Sequence, residues 1–183
     1  DLQDGLQVQV VDEEFNSYFE GMPQAEYNHA FVEENELKVT VPDLSDKNVR
    51  KALKTHPVWQ EYNSRCISCG ACTIACSTCT CFTTRDVIYG DTPEVGERHR
   101  VSASCQIAGF DQMAGQKEFR STAAERMRYK VLHKFYDYKA RFGEEHMCVG
   151  CGRCTRRCPE LISISATVNK VSAAVDEIRA ALD

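Results

Sequence analysis

Eleven cysteines stand in this 183-residue chain, and ten of them fall in two short runs. The first run, Cys66 to Cys81, reads C-I-S-C-G-A-C-T-I-A-C-S-T-C-T-C and holds six. The second, Cys148 to Cys158, reads C-V-G-C-G-R-C-T-R-R-C, holds four, and repeats the first half of the first. Cys105 stands alone between them. Disulfide scaffolds belong to small secreted domains and space their cysteines loosely. The tight, repeated spacing here suits a thiolate cage around a soft metal centre, which needs such crowding where disulfides seldom use it. A chain built this way must fold so as to bring the two runs together.

Both runs contain C-x2-C-x2-C-x3-C, the spacing of bacterial ferredoxins. Three thiolates on one tight loop each reach an iron of a cubane. The loop curves too sharply to supply the fourth, so the fourth cysteine reaches the other cluster. This spacing predicts one [4Fe–4S] cluster on Cys66, Cys69, Cys72 and Cys158, and another on Cys148, Cys151, Cys154 and Cys76. Gly70 and Gly152 follow the second cysteine of each run, where a Cβ would crowd the cluster or oppose a positive φ. Pro159 follows the last cysteine as the pattern expects, and Ser77 replaces the equivalent proline. A pair of zinc sites is the competing reading, but zinc fingers use two pairs of ligands rather than two runs of four.

Cys76 and Cys148 are separated by 71 residues, 77 to 147, far more than a two-cluster ferredoxin needs. This insertion holds Cys79, Cys81 and Cys105, which invite a third cluster with a non-cysteine fourth ligand; Asp86 and His133 are candidates by type and position. The alternative is that the three are buried or idle thiols.

Net charge is −5, which argues against nucleic acid as the main partner. No apolar stretch is long enough to span a membrane. A metal-thiolate chain calls for a reducing compartment, hence the cytoplasm. The chain starts at Asp1 with no signal-peptide pattern, and the reading expects a fragment or processed chain with a further N-terminal domain. Acidic residues gather at Asp12, Glu13, Glu14, Glu33, Glu34 and Glu36; basic ones at Lys117, Arg120, Arg126, Arg128, Lys130, Lys134, Lys139 and Arg141. Both groups read either as solvated surface or as docking faces for other subunits.

The expected fold is α+β: a two-cluster ferredoxin-like core, a long and mainly helical insertion, and a terminal helix. Residues 1–45 read as the end of a β-rich N-terminal domain, 46–165 as the iron–sulfur domain with insertion 77–147, and 166–183 as a C-terminal helix. Alternation predicts strands at 6–10 and 37–41, with Phe15, Tyr18, Phe19, Tyr27 and Phe31 as core between them. Ser45 is the expected cap of a first helix, and Pro57 opens the next. A strand is expected from Phe82 to Tyr89 with a turn at 90–93, a helix from Thr122 to Phe142 through a T-x-x-E capping box, and another strand at L-I-S-I-S, 161–165. Val168, Val171, Val175, Ile178 and Leu182 share one face of the terminal helix, which packs on this chain or on a neighbour.

There is no Rossmann glycine pattern, no P-loop and no nucleophile beside a base, so no catalytic residue is assigned, and His29, His56, His99, His133 and His146 are scattered. A multi-cluster chain without a substrate pocket is an electron conduit, with Arg65, Arg153, Arg156 and Arg157 offsetting cluster charge. A metal-bound interaction module without redox work is the reading of a different class.

From Cys66 onward the chain resembles the iron–sulfur electron-transfer subunit of anaerobic sulfite reductase. The likeness is carried by C-x2-C-G-x-C-x3-C-x-T-C-T-C-F, G-E-R-x-R-V-x-A-S-C, E-R-M-R-Y-K-V-L-H-K-F-Y-D-Y and M-C-V-G-C-G-R-C-x3-C-P-E. It is also similar to the beta subunit of cytoplasmic sulfhydrogenases. The resemblance implies a non-catalytic subunit that passes electrons from an NADH-oxidising flavoprotein subunit to a sirohaem sulfite reductase subunit, or serves a hydrogenase in the same way. It also includes Cys79, Cys81 and Cys105 in the family's motif.

Overall fold

The computed structural model describes residues 7–24, 26, 34, 36–91 and 94–182. The chain divides into two units, residues 1–38 and 39–183.

In the second unit Asp46, not Ser45, caps the first helix: its carboxylate accepts the Asn48 amide at 2.6 Å and starts α1, Lys47–Leu53. Ser45 instead donates its own amide to Asp43 at 3.0 Å. Pro57 stands in the first turn of a 3-10 turn, Pro57–Trp59, whose cap is the His56 ring accepting from the Val58 amide. The chain then enters α2, Tyr62–Arg65, which leads to Cys66.

The capping box at Thr122 and Glu125 forms, with the reciprocal bonds at 3.2 and 3.1 Å, and opens α4, Ala123–Leu132. The single helix expected to Phe142 is divided by a π-helical turn, His133–Asp137, before α5, Tyr138–Phe142. A π-turn widens the helix and changes which carbonyls find intrahelical partners. The Lys134 carbonyl accepts the Met147 amide at 2.8 Å, so the turn is tied to the residue preceding the second cysteine run. Gly143 ends the segment at φ 76, the left-handed stop its position predicts.

The strand expected at 161–165 is not formed. Ser163 caps a helix there: its hydroxyl accepts the Ala166 amide at 3.3 Å, and α7 runs Ile164–Leu182. Val168, Val171, Val175 and Ile178 are buried along one face, whereas Leu182 at the end is exposed. α7 packs on α1 and on the Pro57–Trp59 turn, and α4 packs on α2 and on that same turn. The core between them includes Leu53, Trp59, Tyr62, Met127, Val131 and Phe135. The buried polar tips are matched: the Trp59 indole donates to the Leu53 carbonyl at 2.8 Å, and the Tyr62 hydroxyl to Thr167 at 2.9 Å.

β1, Phe82–Ile88, pairs antiparallel with β2, Gly96–Ser102, in a register from Phe82 opposite Ser102 to Ile88 opposite Gly96. β2 has no alternation to announce it; its strand form comes from pairing with β1. The expected turn falls partly on residues 92–93, outside the described residues. In the first unit Glu13–Tyr18 form a 3-10 turn capped by Asp12. Phe15 and Tyr18 are exposed rather than core, while Tyr27 and Phe31 lie outside the described residues. Residues 7–10 and 37–41 are not strands, and Leu6 is outside the described residues. Two short alternating segments need a third strand or an apolar face to pair stably.

Candidate metal centre

The two cysteine runs fold as matching arms. In each, the glycine after the second cysteine takes a positive φ and caps a four-residue helix: Gly70 (φ 77) before α3, Ala71–Ile74, and Gly152 (φ 67) before α6, Arg153–Arg156. One residue before the second cysteine, Ser68 (φ 57) and Gly150 (φ 66) occupy equivalent positions. The fourth cysteines close the arms alike, Cys76 donating its amide to Thr73 and Cys158 to Thr155, both at 3.2 Å. α3 packs against α6.

The two glycines answer to different constraints. A Cβ on Gly70 would stand 3.0 Å from Ile107 and Ser104, whereas one on Gly152 would meet nothing within 4 Å. Gly152→Ala should therefore cost only the left-handed backbone penalty, about 1–2 kcal/mol. Gly70→Ala should cost that and a further ~1–3 kcal/mol of overpacking. Anaerobic thermal unfolding of the two variants checks the order; equal midpoints would refute it.

Cys66, Cys69, Cys72 and Cys158 line one cavity of about 490 Å³ of empty space, part of it open to solvent. Cys154, Lys130, Met127 and Gln106 are also in its wall. Three thiols of the first run and two of the second, Cys154 and Cys158, thus line the same space, a soft donor set that fits an iron–sulfur cluster. Cys148 lies near Cys154 of this wall. Burial raises Cys154, the Lys130 ammonium lowers it, and the nearby Cys148 and Cys72 raise it again. Burial also pushes Cys76 up, but Thr78 and the Lys134 ammonium outweigh it and hold the thiol at about 6, ready to be a thiolate. Cys69 and Cys151 are exposed.

Buried cations besides the expected arginines lie at these sites, and Arg156 donates to the Cys151 carbonyl at 3.4 Å. Arg153, Arg156 and Arg157 are exposed, and Arg65 lies near Glu61 at 3.9 Å. Instead Arg126, Lys130 and Lys134, read from sequence as surface or docking face, are buried at 6%, 5% and 4% exposure. They stand at four-residue spacing, and Lys130 and Lys134 lie beside cysteines. Arg126 donates to the Ser68 hydroxyl at 2.9 Å, and Lys134 to Cys76 Sγ at 3.4 Å and Thr78 at 3.1 Å. Burial pulls both lysines down, yet the thiols around them raise them overall: Cys72, Cys154 and Cys105 act on Lys130, and Cys79 and Cys76 on Lys134.

Cys79, Cys81 and Cys105 divide between two neighbourhoods. Cys79 sits with Cys76 and Lys134, its thiol pushed up to about 12, first by burial. Cys81 meets Cys105 at the base of the hairpin, where Ala103 donates its amide to the Cys81 carbonyl at 3.1 Å. Cys105 is buried, 3.7 Å from the Thr73 hydroxyl and from the Gln106 amide. Asp86 is held by Arg98 through bonds of 2.6 and 2.9 Å, and His133 stacks on Tyr129. Among the described residues no group of three or more His, Cys, Asp or Glu is gathered as a single-ion site; a cubane holds its thiolates apart by the width of its iron–sulfide core.

A family model described as a 4Fe-4S dicluster domain matches residues 65–162, more than half of the chain. The chain belongs to the 4Fe-4S dicluster family. The match spans both arms and the insertion between them. A 4Fe-4S dicluster protein of this kind carries two [4Fe–4S] clusters and transfers electrons, on an α+β ferredoxin-like core with a terminal helix. The chain is 32% identical over 143 residues to Sulfhydrogenase 2 subunit beta of Pyrococcus furiosus, an alignment covering 76% of this chain and 41% of that protein. It therefore spans well under half of that relative's length. No solved structure matches the chain. Among the described residues of this dicluster protein, no helix is long and apolar enough to cross a membrane.

Proposed function

We propose that this chain is the electron-transfer subunit of a cytoplasmic oxidoreductase complex and holds one cluster on Cys66, Cys69, Cys72 and Cys158 and the other on Cys148, Cys151, Cys154 and Cys76. The observation that carries this reading is the cavity lined by the first four, because it joins cysteines from both runs. Bound clusters supply one-electron transfer. The chain itself contributes thiolates that hold iron, glycines that turn the loops, and buried cations that balance charge. Cys69 and Cys151, both exposed, bring each site to the surface where a redox partner can approach.

The proposed electron donor is an NADH-oxidising flavoprotein subunit, and the proposed acceptor is a sirohaem sulfite reductase subunit. The motifs shared with the iron–sulfur subunit of anaerobic sulfite reductase support this pairing. The identity to a sulfhydrogenase beta subunit supports a second reading, in which the same relay serves a hydrogenase or sulfhydrogenase. The proposed division is 1–45 as the end of an N-terminal domain, 46–165 as the iron–sulfur domain with insertion 77–147, and 166–183 as the terminal helix. A third cluster is proposed on Cys79, Cys81 and Cys105, supported by the contact of Cys81 with Cys105.

Iron and acid-labile sulfide on anaerobically purified protein test the cluster number. With four irons per cubane, about eight irons per chain leave two clusters and about twelve support three. Dithionite reduction followed by EPR tests the role; an iron-loaded chain without a reducible signal would leave only a structural metal module. Co-purified partners separate the two complexes: a sirohaem protein supports the first, a nickel–iron subunit the second.

A further inference from the structure

We infer that Lys130 and Lys134 are fixed buried charges that set the reduction potentials of the two clusters unequally, Lys130 acting on both and Lys134 on the second. The inference rests on the ligand assignment proposed above. It begins from an energetic oddity. An ammonium removed from water is costly unless an anion meets it. Lys130 and Lys134 are 5% and 4% exposed, and among the described residues neither is paired with a carboxylate. What meets them is sulfur.

Position makes the two lysines unlike. Lys130 shares the cavity wall with Cys66, Cys69, Cys72 and Cys158, and Cys154 of the other site lines the same wall. It therefore shares one wall with a thiol of each proposed cluster, Cys72 and Cys154. Lys134 lies one helical turn further on, with Nζ 3.4 Å from Cys76 Sγ, and its carbonyl binds Met147 beside Cys148. Cys76 and Cys148 belong to the second cluster alone.

The direction of the effect follows from charge. An electron added to a thiolate-bound cluster makes it more negative, so a nearby fixed cation favours the reduced state and raises the potential. Low local dielectric strengthens this attraction compared with an exposed cation in water. The exposed arginines of the second run are screened by solvent, so the buried lysines govern the potential.

The test uses the anaerobic, iron-replete chain and EPR-monitored potentiometric titration. In Lys134→Met the midpoint of one cluster should fall so that the ratio of reduced to oxidised cluster at the original midpoint drops at least tenfold, which is 59 mV for one electron; the other midpoint should move less. In Lys130→Met both midpoints should fall. Lys130→Arg and Lys134→Arg should stay near the parent values. Unchanged midpoints in iron-replete methionine variants overturn the inference, as does an arginine variant that falls as far as its methionine counterpart. If a methionine variant loses iron, the glutamine variant is titrated in its place; iron loss from both also overturns it, since the charge then serves assembly alone. A parent protein with fewer than about eight irons is a different failure, of the ligand assignment itself.

Discussion

Cys158→Ala should damage the same cluster as Cys66→Ala, and Cys76→Ala the same cluster as Cys148→Ala. The expectation runs against sequence order, since Cys158 lies in the second run and Cys76 in the first. It follows from the arms: each fourth cysteine leaves its loop after a four-residue helix, and Cys158 reaches the cavity lined by Cys66, Cys69 and Cys72. Each substitution should cost up to about four irons per chain, one cubane's share. The decisive readout is the spectrum that survives. EPR of the reduced variants should sort them as Cys66 with Cys158 and Cys148 with Cys76. If Cys158→Ala instead matches Cys148→Ala, each run binds its own cluster and the crossed assignment is wrong.

The second large effect is on folding. Stripping the iron should unfold the cysteine arms while leaving the helical core in place. α3 and α6 have four residues each, far below the length at which a helix stands alone in water. They pack on each other beside the cluster sites, so metal binding supplies their folding free energy. α1, α4 and α7 have another source of stability: Leu53, Val131, Val168 and Val171 are fully buried among them. For structural metal sites the binding term is on the order of 10 kcal/mol. At that scale the unfolding midpoint should fall by on the order of 20 °C or more for a chain of this size. Hydrogen exchange on apo protein should show protection lost across 66–76 and 148–158 and kept across 168–178. Uniform loss would mean that the clusters and the core fold as one unit.

The parts legible in the sequence were those set by local rules. The cysteine spacing, the positive-φ glycines, the Thr122 capping box and the buried stripe of α7 each depend on residues a few positions apart. What escaped depended on distant partners. The G-E-R-H-R-V-S segment becomes β2 only because Phe82–Ile88 lies opposite it. L-I-S-I-S looks like a strand until Ser163 captures an amide three residues on. The basic residues of α4 were the most consequential miss. Arg126, Lys130 and Lys134 repeat every four residues beside the apolar Met127, Val131 and Phe135. A cation row bordering an apolar stripe is a sign that the charges point inward with it. Charge alone suggested surface, because lysine is almost never buried without a partner. The partners, sulfurs for the two lysines and the Ser68 hydroxyl for Arg126, come from elements remote in sequence, which no helical periodicity could reveal.

The exposed positions of Cys69 and Cys151 carry a cost of their own. A thiolate that an electron donor can approach is also within reach of dioxygen. Lys130 and the apolar Met127 line the wall of the cavity that Cys69 shares. Oxidative attack should therefore begin at these two cysteines.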